Sequence, residues 1–178
     1  MCYHSPEMVE LKTLEIGEIE REFFLNGPVA VVCKPTGFNR WCTLSYPGHK
    51  NGCPNFGKKE SCPPFAPYFL DRYKPEVFVA FMRFDFGEFL ERKRKVHPDW
   101  TERALRNPWH FQGHLDSKLK SFVNSELIKS NFENFQAIYS PEAMGINIHL
   151  TARNAEVELE WPPRKNMYRI ILLAQPLK

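Results

Sequence analysis

A long stretch rich in glycine and proline holds three of the chain's five cysteines. It covers residues 39–67, where glycine and proline recur too often for a helix or a long strand. Its cysteines are Cys42, Cys53 and Cys62, separated by ten and then eight residues. We call residues 39–67 the cysteine loop. Because turns built by glycine and proline hold side chains in fixed directions, this loop is predicted to be a metal site.

The thiols of the loop are expected to be reduced. The first residues lack a basic segment followed by an apolar run, so no signal peptide is predicted. No apolar stretch approaches the roughly 20 residues of a membrane span. We therefore predict a cytoplasmic protein without a membrane partner. In that compartment, clustered cysteines are more often metal ligands or catalytic groups than disulfides, and an odd number cannot pair completely.

The pattern of apolar runs predicts one domain over residues 1–178, with a hydrophobic fraction of 43% to supply its core. Predicted strands lie at residues 28–33, 77–86, 135–139 and 167–174. Predicted helices lie at residues 88–96, 107–129 and 142–155, the last interrupted near Gly145, and residues 1–26 are predicted as an N-terminal arm and helix. Strands alternate with helices, and residues 28–33 form a short continuous run that suits a strand covered on both faces, so we expect an α/β or α+β fold. Its sheet should be mixed, partly parallel and of about four strands.

The spacing of the cysteines bears on the kind of metal. A structural zinc site usually has two short-spaced ligand pairs such as Cys-x2-Cys, which are absent here, so a zinc site would need a residue such as His49 to join. Iron–sulfur clusters tolerate longer spacing and often have proline beside a ligating cysteine. We predict a [4Fe–4S] cluster on the three loop cysteines, with Cys33 or His49 as candidates for the fourth ligand. The alternatives are zinc, an open fourth position, and three unrelated cysteines.

Two segments resemble one uncharacterised prokaryotic family of predicted metal-binding proteins. In the first, a Cys-x-x-Tyr/Phe-Gly-Lys stretch leading to Cys-Pro-Pro is matched by Cys53, Phe56, Gly57, Lys58, Cys62, Pro63 and Pro64. The second, residues 142–155, is similar to a block in which Glu-Ala-x-Gly-Ile precedes a helix that bears a threonine. The resemblance implies metal binding of an iron–sulfur kind, and no particular reaction. The chain departs from the family in the longer gap before Cys53 and in lacking any cysteine after Cys62, which disfavours a second cluster.

Other side chains are candidates for chemistry outside the loop. His110 and His114 are four residues apart on a predicted helix and would share one face, either at the edge of the core or as proton donors toward the cluster. Arg153, Arg164 and Lys165 are candidates for binding an anionic substrate. The basic run at residues 92–95 is more typical of a solvated helix face than of a phosphate contact.

Two classes of function stay open. In one, the cluster is catalytic and an open iron serves redox, sulfur or Lewis-acid chemistry on a small molecule. In the other, a structural zinc ion or cluster stabilises a module that docks on a larger protein or RNA complex. A protein or redox partner suits either class, whereas a net charge of +3 is too small to favour nucleic acid. Whether the protein is an enzyme is left open.

Overall fold

A computed structural model describes residues 19–34, 42–45 and 49–177 of the chain. Four strands form one sheet: β1 (Arg21–Ala30), β2 (Tyr73–Asp85), β3 (Gln136–Ile138) and β4 (Asn166–Pro176). The α-helices of this part of the chain are α1 (Phe86–Val96), α2 (Glu102–Leu105), α3 (Gln112–Leu127) and α4 (Ile148–Asn154). Short 3-10 turns lie at Phe69–Asp71, Pro108–His110, Ser130–Phe132 and Pro141–Met144. No helix in these ranges is both long and apolar enough to cross a membrane.

The sheet has the strand order β1-β2-β4-β3, and each neighbouring pair is antiparallel. The prediction of a four-stranded sheet with helices in an α+β fold is confirmed, whereas the prediction of a partly parallel sheet is wrong. The prediction rested on strands that alternate with helices, an order typical of parallel sheets. Here β2 is a central antiparallel strand with both faces covered. A continuous apolar run therefore indicates that both faces of a strand are covered, and does not indicate whether the strand is parallel or antiparallel to its neighbours.

The two faces of the sheet bury two separate hydrophobic clusters. On one face, Ala80 and Met82 of β2 pack with residues of α1 and α3, including Leu115. On the other face, Val79 and Phe81 pack with Ala152 of α4 and with the preceding segment. Because side chains alternate along a strand, neighbouring residues of β2 belong to different clusters. The cysteine loop is tied to the second face, which carries α4.

Two predicted helices have different boundaries in the structure. Residues 1–18 of the predicted N-terminal helix lie outside the described residues, and residues 21–26 belong to strand β1. Pairing with β2 overrides the helical pattern there, because it packs Phe23 and Phe24 against opposite faces. The predicted helix over residues 107–129 begins as a 3-10 turn, and α3 starts only at Gln112. The interruption predicted near Gly145 is confirmed, since Gly145 separates the turn Pro141–Met144 from α4.

Candidate metal centre

The chain enters the cysteine loop through a segment held by three hydrogen bonds. The backbone N–H of Val32 donates to the Thr151 hydroxyl at 3.0 Å, and the N–H of Asn147 donates to the Val32 carbonyl at 2.7 Å. The N–H of Lys34 donates to the Gly145 carbonyl at 2.9 Å. Thr151 is fully buried, so water does not compete for the bond to its hydroxyl. Residues 32–34, which precede the loop, are therefore held against the segment that leads into α4.

The second end of the loop returns to the same point. Gly145 has φ +92°, and a side chain there would fall 2.8 Å from the ring of Tyr68, which directly follows the loop. The Tyr68 hydroxyl in turn donates a hydrogen bond to the sulfur of Cys33. Only glycine combines this backbone conformation with such a close approach. Gly145 thus contacts both Lys34, which precedes the cysteine loop, and Tyr68, which directly follows it.

Inside the loop, glycine lets two cysteine segments come together. The N–H of Cys53 donates to the Cys42 carbonyl at 2.7 Å. Gly52, at φ +81°, is buried in this contact, and a Cβ there would lie 2.5 Å from the Cys42 carbonyl oxygen. A larger residue at position 52 would push the two segments apart, so Gly52 is required for the neighbouring cysteines to meet.

The third cysteine is joined to this pair through consecutive turns. The Phe56 N–H donates to the Cys53 carbonyl at 3.1 Å, and the Phe65 N–H donates to the Cys62 carbonyl at 3.0 Å. Gly57 ties the two turns together, because its N–H donates to the Pro63 carbonyl at 2.8 Å. Each of Cys53 and Cys62 therefore starts a closed turn, and the turns are linked to one another.

The three loop thiols share one electrostatic neighbourhood. All are free and partly buried. Burial raises the pKa of Cys42, and the charges of Cys53, Cys62 and Glu142 raise it further. Yet in the described ranges no group of three His, Cys, Asp or Glu side chains is arranged to hold a metal ion. The three thiols influence one another electrostatically, but in the described residues their side chains do not converge on one metal position.

The two residues predicted as fourth ligands have other partners. Cys33 forms a β-bridge with Ile146, and burial raises the pKa of its thiol against the effect of the Tyr68 hydrogen bond. His49 accepts a hydrogen bond at Nε2 from Trp109 Nε1 at 3.1 Å. It also lines an open cleft of about 420 Å³, whose wall includes His49, Lys50, Asn51, Gly52, Cys53, Pro54, Phe56 and Lys58.

The predicted histidine pair does not share one helix. His110 lies in the 3-10 turn and stacks on Trp100, with ring centroids 5.0 Å apart. His114 lies in α3, where its Nε2 accepts a hydrogen bond from the Arg21 guanidinium at 3.0 Å. Phe111, at φ −138°, breaks the helical path between them. The expectation that four-residue spacing places both rings on one helical face is therefore wrong.

The predicted anion-binding residues take part in local structure. Arg153 forms an exposed ion pair with Glu158 at 3.2 Å. The backbone N–H groups of Arg164 and Lys165 both donate to the Glu160 carboxylate, at 2.8 and 3.1 Å, and they lower its pKa. The carbonyl of Lys165 accepts from the first amides of α1. The carboxylate bound here is the chain's own Glu160, and the binding of an anionic substrate stays a prediction.

Comparisons with known protein families, with curated proteins and with solved structures found no match to this chain. The resemblance to the family of predicted metal-binding proteins thus stays a prediction. Function is argued below from the geometry of the site.

Three residues of the site carry no functional role in the sequence analysis: Tyr68, Trp109 and Glu142. Tyr68 and Trp109 contact Cys33 and His49 across gaps of 35 and 60 residues, and no local pattern reveals such pairs. Glu142 did have a signal, since it begins the Glu-Ala-Met-Gly-Ile block. It lies three residues before Gly145, which contacts both Lys34 and Tyr68.

Proposed function

We propose that this protein binds a [4Fe–4S] cluster through Cys42, Cys53 and Cys62. The observation that carries the proposal is the electrostatic neighbourhood shared by the three thiols, whose segments are joined by backbone hydrogen bonds. Thiolates are strong ligands for iron–sulfur clusters, and a loop held by backbone hydrogen bonds can direct them before the cluster binds.

The spacing of the thiols favours a cluster over a single ion. A zinc ion holds each sulfur about 2.3 Å from one centre, so its ligands must converge on a point. The ligands of a cluster attach to separate irons and stand farther apart. The loop cysteines are separated by ten and eight residues and lack the short-spaced ligand pairs typical of zinc, so we infer a cluster.

The chain supplies the surroundings that an anionic cluster needs. The side chains of Lys50 and Lys58 line the cleft beside Cys53 and would offset negative charge there. When bound, the cluster would supply electron transfer, or Lewis-acid chemistry at an iron that lacks a protein ligand. Reduced thiols are needed for assembly, and we therefore place the protein in the cytoplasm.

The proposal is tested by purifying the full chain without oxygen and measuring iron, acid-labile sulfide and the visible spectrum. We expect about equal amounts of iron and sulfide, in a brown protein. Replacement by alanine of Cys42, Cys53 or Cys62 should each abolish the visible absorption. Cys33→Ala is the matched control and should keep it, because Cys33 is bonded to Tyr68. Colourless protein with stoichiometric zinc and no sulfide would refute the cluster.

A second candidate function is a metal-stabilised module that docks on a larger protein. It is favoured by three exposed large apolar side chains on the loop or in contact with it: Leu44, Phe65 and Trp109, exposed by 51, 60 and 68%. RNA is a less suitable partner, because Arg92 and Arg94 of the basic run are engaged by Glu88 and Glu102. Zinc in place of a cluster, with the same cysteines required, would support this candidate.

A further inference from the structure

The backbone contact between Cys42 and Cys53 brings two free thiols close to one another. We infer that these two cysteines form a reversible disulfide in the metal-free chain, by exchange with an anionic low-molecular-weight disulfide of the glutathione type. The inference goes beyond the proposed function, because it concerns the chain without metal. Since the disulfide would consume two of the three proposed ligands, metal binding would be confined to the reduced chain.

The backbone contact limits the distance between the two cysteines. The Cys53 N–H donates to the Cys42 carbonyl, with 2.7 Å between nitrogen and oxygen. With standard bond lengths and a planar carbonyl group, the two Cα atoms must then lie less than about 6.6 Å apart. Cα atoms joined across a disulfide are usually about 4.4–6.8 Å apart. The backbone spacing of this pair is therefore compatible with a disulfide.

Gly52 permits this close approach. It has φ +81°, and an added Cβ would lie 2.5 Å from the Cys42 carbonyl oxygen and 2.8 Å from the backbone of Thr43. Both neighbours are main-chain atoms, which cannot turn aside as a flexible side chain could. Gly57 has a similar conformation, φ +67°, but an added Cβ there meets nothing within 4 Å. The two glycines therefore differ in whether a side chain would disturb the cysteine pair.

The third loop cysteine belongs to a separate turn. The Cys62 N–H donates to the Lys59 carbonyl at 2.9 Å, and the Cys62 carbonyl accepts from the Phe65 N–H at 3.0 Å. Its backbone groups are thus bonded within a few residues of its own position, whereas Cys42 and Cys53 are bonded directly to each other. We therefore assign the disulfide to Cys42 and Cys53, with Cys62 left as a thiol.

An open cleft gives a small disulfide access to Cys53. This is the cleft of about 420 Å³ described above, and Lys50 and Lys58 line it together with Cys53. Both lysines are exposed, and none of the described residues that line the cleft is acidic. Positive charge beside a thiol raises the local concentration of anions. Glutathione disulfide is such an anion, because its carboxylates outnumber its amino groups.

The exchange takes place in two steps. In the first, the Cys53 thiolate attacks one sulfur of glutathione disulfide and breaks its S–S bond, and the glutathione that leaves takes up a proton in place of the one lost from Cys53. In the second, the Cys42 thiolate attacks the Cys53 sulfur of the mixed disulfide and releases the second glutathione, which also takes up a proton. The two cysteines lose two electrons, and glutathione disulfide is reduced to two thiols.

The test treats the full chain, freed of metal by a chelator, with mixtures of oxidised and reduced glutathione. The remaining thiols are counted and blocked, and the unreduced chain is cleaved with trypsin. Because trypsin cuts after Lys50 and Lys58, Cys42, Cys53 and Cys62 fall on three separate peptides. Mass spectrometry of these peptides therefore identifies which cysteines are joined.

We expect two of the five thiols to be lost under the most oxidising mixture, with the peptides of Cys42 and Cys53 joined. Cys62→Ser should give the same pair. Cys42→Ala should stop after the first step and carry one glutathione on Cys53. These variants leave Gly52 in place, so they test the assigned pair even if a substitution of the glycine disturbs folding.

The two glycines supply a matched comparison. Gly52→Ala should lower the equilibrium constant for forming the disulfide by at least about tenfold, because overpacking a close contact commonly costs enough free energy for such a factor. Gly57→Ala introduces the same side chain at a similar φ without that contact, and should stay close to the wild type.

Two results would overturn the inference. If Cys62 is joined to Cys42 or Cys53 in the wild-type chain, or if glutathione is taken up without any internal disulfide, the assigned pair is wrong. If Gly52→Ala and Gly57→Ala form the disulfide equally well, the backbone contact does not control it. Because the chain is tested without metal, neither result bears on the proposed cluster.

Discussion

At the scale of single residues, Gly145 holds the site together. Its carbonyl accepts from Lys34, which precedes the cysteine loop, and its Cα faces the ring of Tyr68, which follows the loop. Gly52 acts in a similar way where Cys42 meets Cys53. In both places a positive φ and a close approach coincide, so the glycines are needed for geometry that other residues cannot adopt.

We predict that Gly145→Ala lowers the free energy of unfolding by about 1–3 kcal/mol, because a non-glycine residue is strained at this φ and its Cβ meets the Tyr68 ring. Urea unfolding of the metal-free full chain measures the change. Gly113→Ala in α3 is the control, since a Cβ there meets open space. It should be neutral or stabilising by up to about 1 kcal/mol. Equal effects of the two substitutions would refute the role of Gly145.

At the scale of elements, the junction between β2 and α1 shows that interactions between residues close in sequence determine where a helix begins. Asp85 ends β2 and caps α1, where its Oδ1 accepts from the Glu88 N–H at 2.8 Å. The charged residues of α1 pair along its surface and with α2, as Arg92 does with Glu88 and Arg94 with Glu102. Helix α1 was predicted at nearly its observed bounds because these signals lie within the helix itself.

The cap of α1 gives a test at this scale. Asp85→Ala removes the only side-chain oxygen seen to accept from the first turn of α1 in the described residues, and should lower the free energy of unfolding by about 1 kcal/mol. Asp85→Asn keeps an oxygen acceptor and should lose much less. Chemical unfolding followed by circular dichroism distinguishes them. A loss of equal size in both variants would show that the charge of Asp85, and not its cap, stabilises the helix.

At the scale of the whole molecule, α3 links distant strands of the sheet. His114 of α3 accepts from Arg21 of β1, and Asp116 of α3 pairs with Arg169 of β4 at 2.7 Å. Burial lowers the pKa of His114, and the charges of Arg21 and Lys118 lower it further. Protonation would remove the acceptor at Nε2 and place a cation against the guanidinium. The contact between α3 and the edge strand is therefore formed by neutral histidine.

This contact predicts how stability depends on pH. In the unfolded chain His114 titrates near about pH 6.5, and in the folded protein it titrates lower. Between these values the unfolded state binds more protons, so the free energy of unfolding is highest above about pH 6.5 and falls as pH drops through the window. His114→Gln keeps an acceptor for Arg21 and should flatten this dependence. Thermal unfolding from about pH 7.5 to about pH 5 measures it, and parallel curves for both proteins would contradict the prediction.

The predictions of secondary structure were confirmed where they depended on interactions between residues close together in the chain. The central strands, α1 and the break at Gly145 follow from apolar runs, caps and a glycine, all of which act within a few residues. Most of strand β1 was missed, since the strand predicted at residues 28–33 overlaps only its last three residues. Its acidic, partly apolar start resembles a helix until β2 pairs with it. The separation of His110 from His114 was missed because the backbone turns at Phe111.

By itself the sequence determined that the chain has a four-stranded core with helices and a loop bearing three cysteines. These properties follow from composition and short-range spacing. Only the tertiary structure decided the antiparallel order of the sheet and the pairing of Cys33 with Tyr68. Each of these depends on contacts between residues far apart in the chain, and the free energy that selects such contacts comes from burying both faces of the sheet at once.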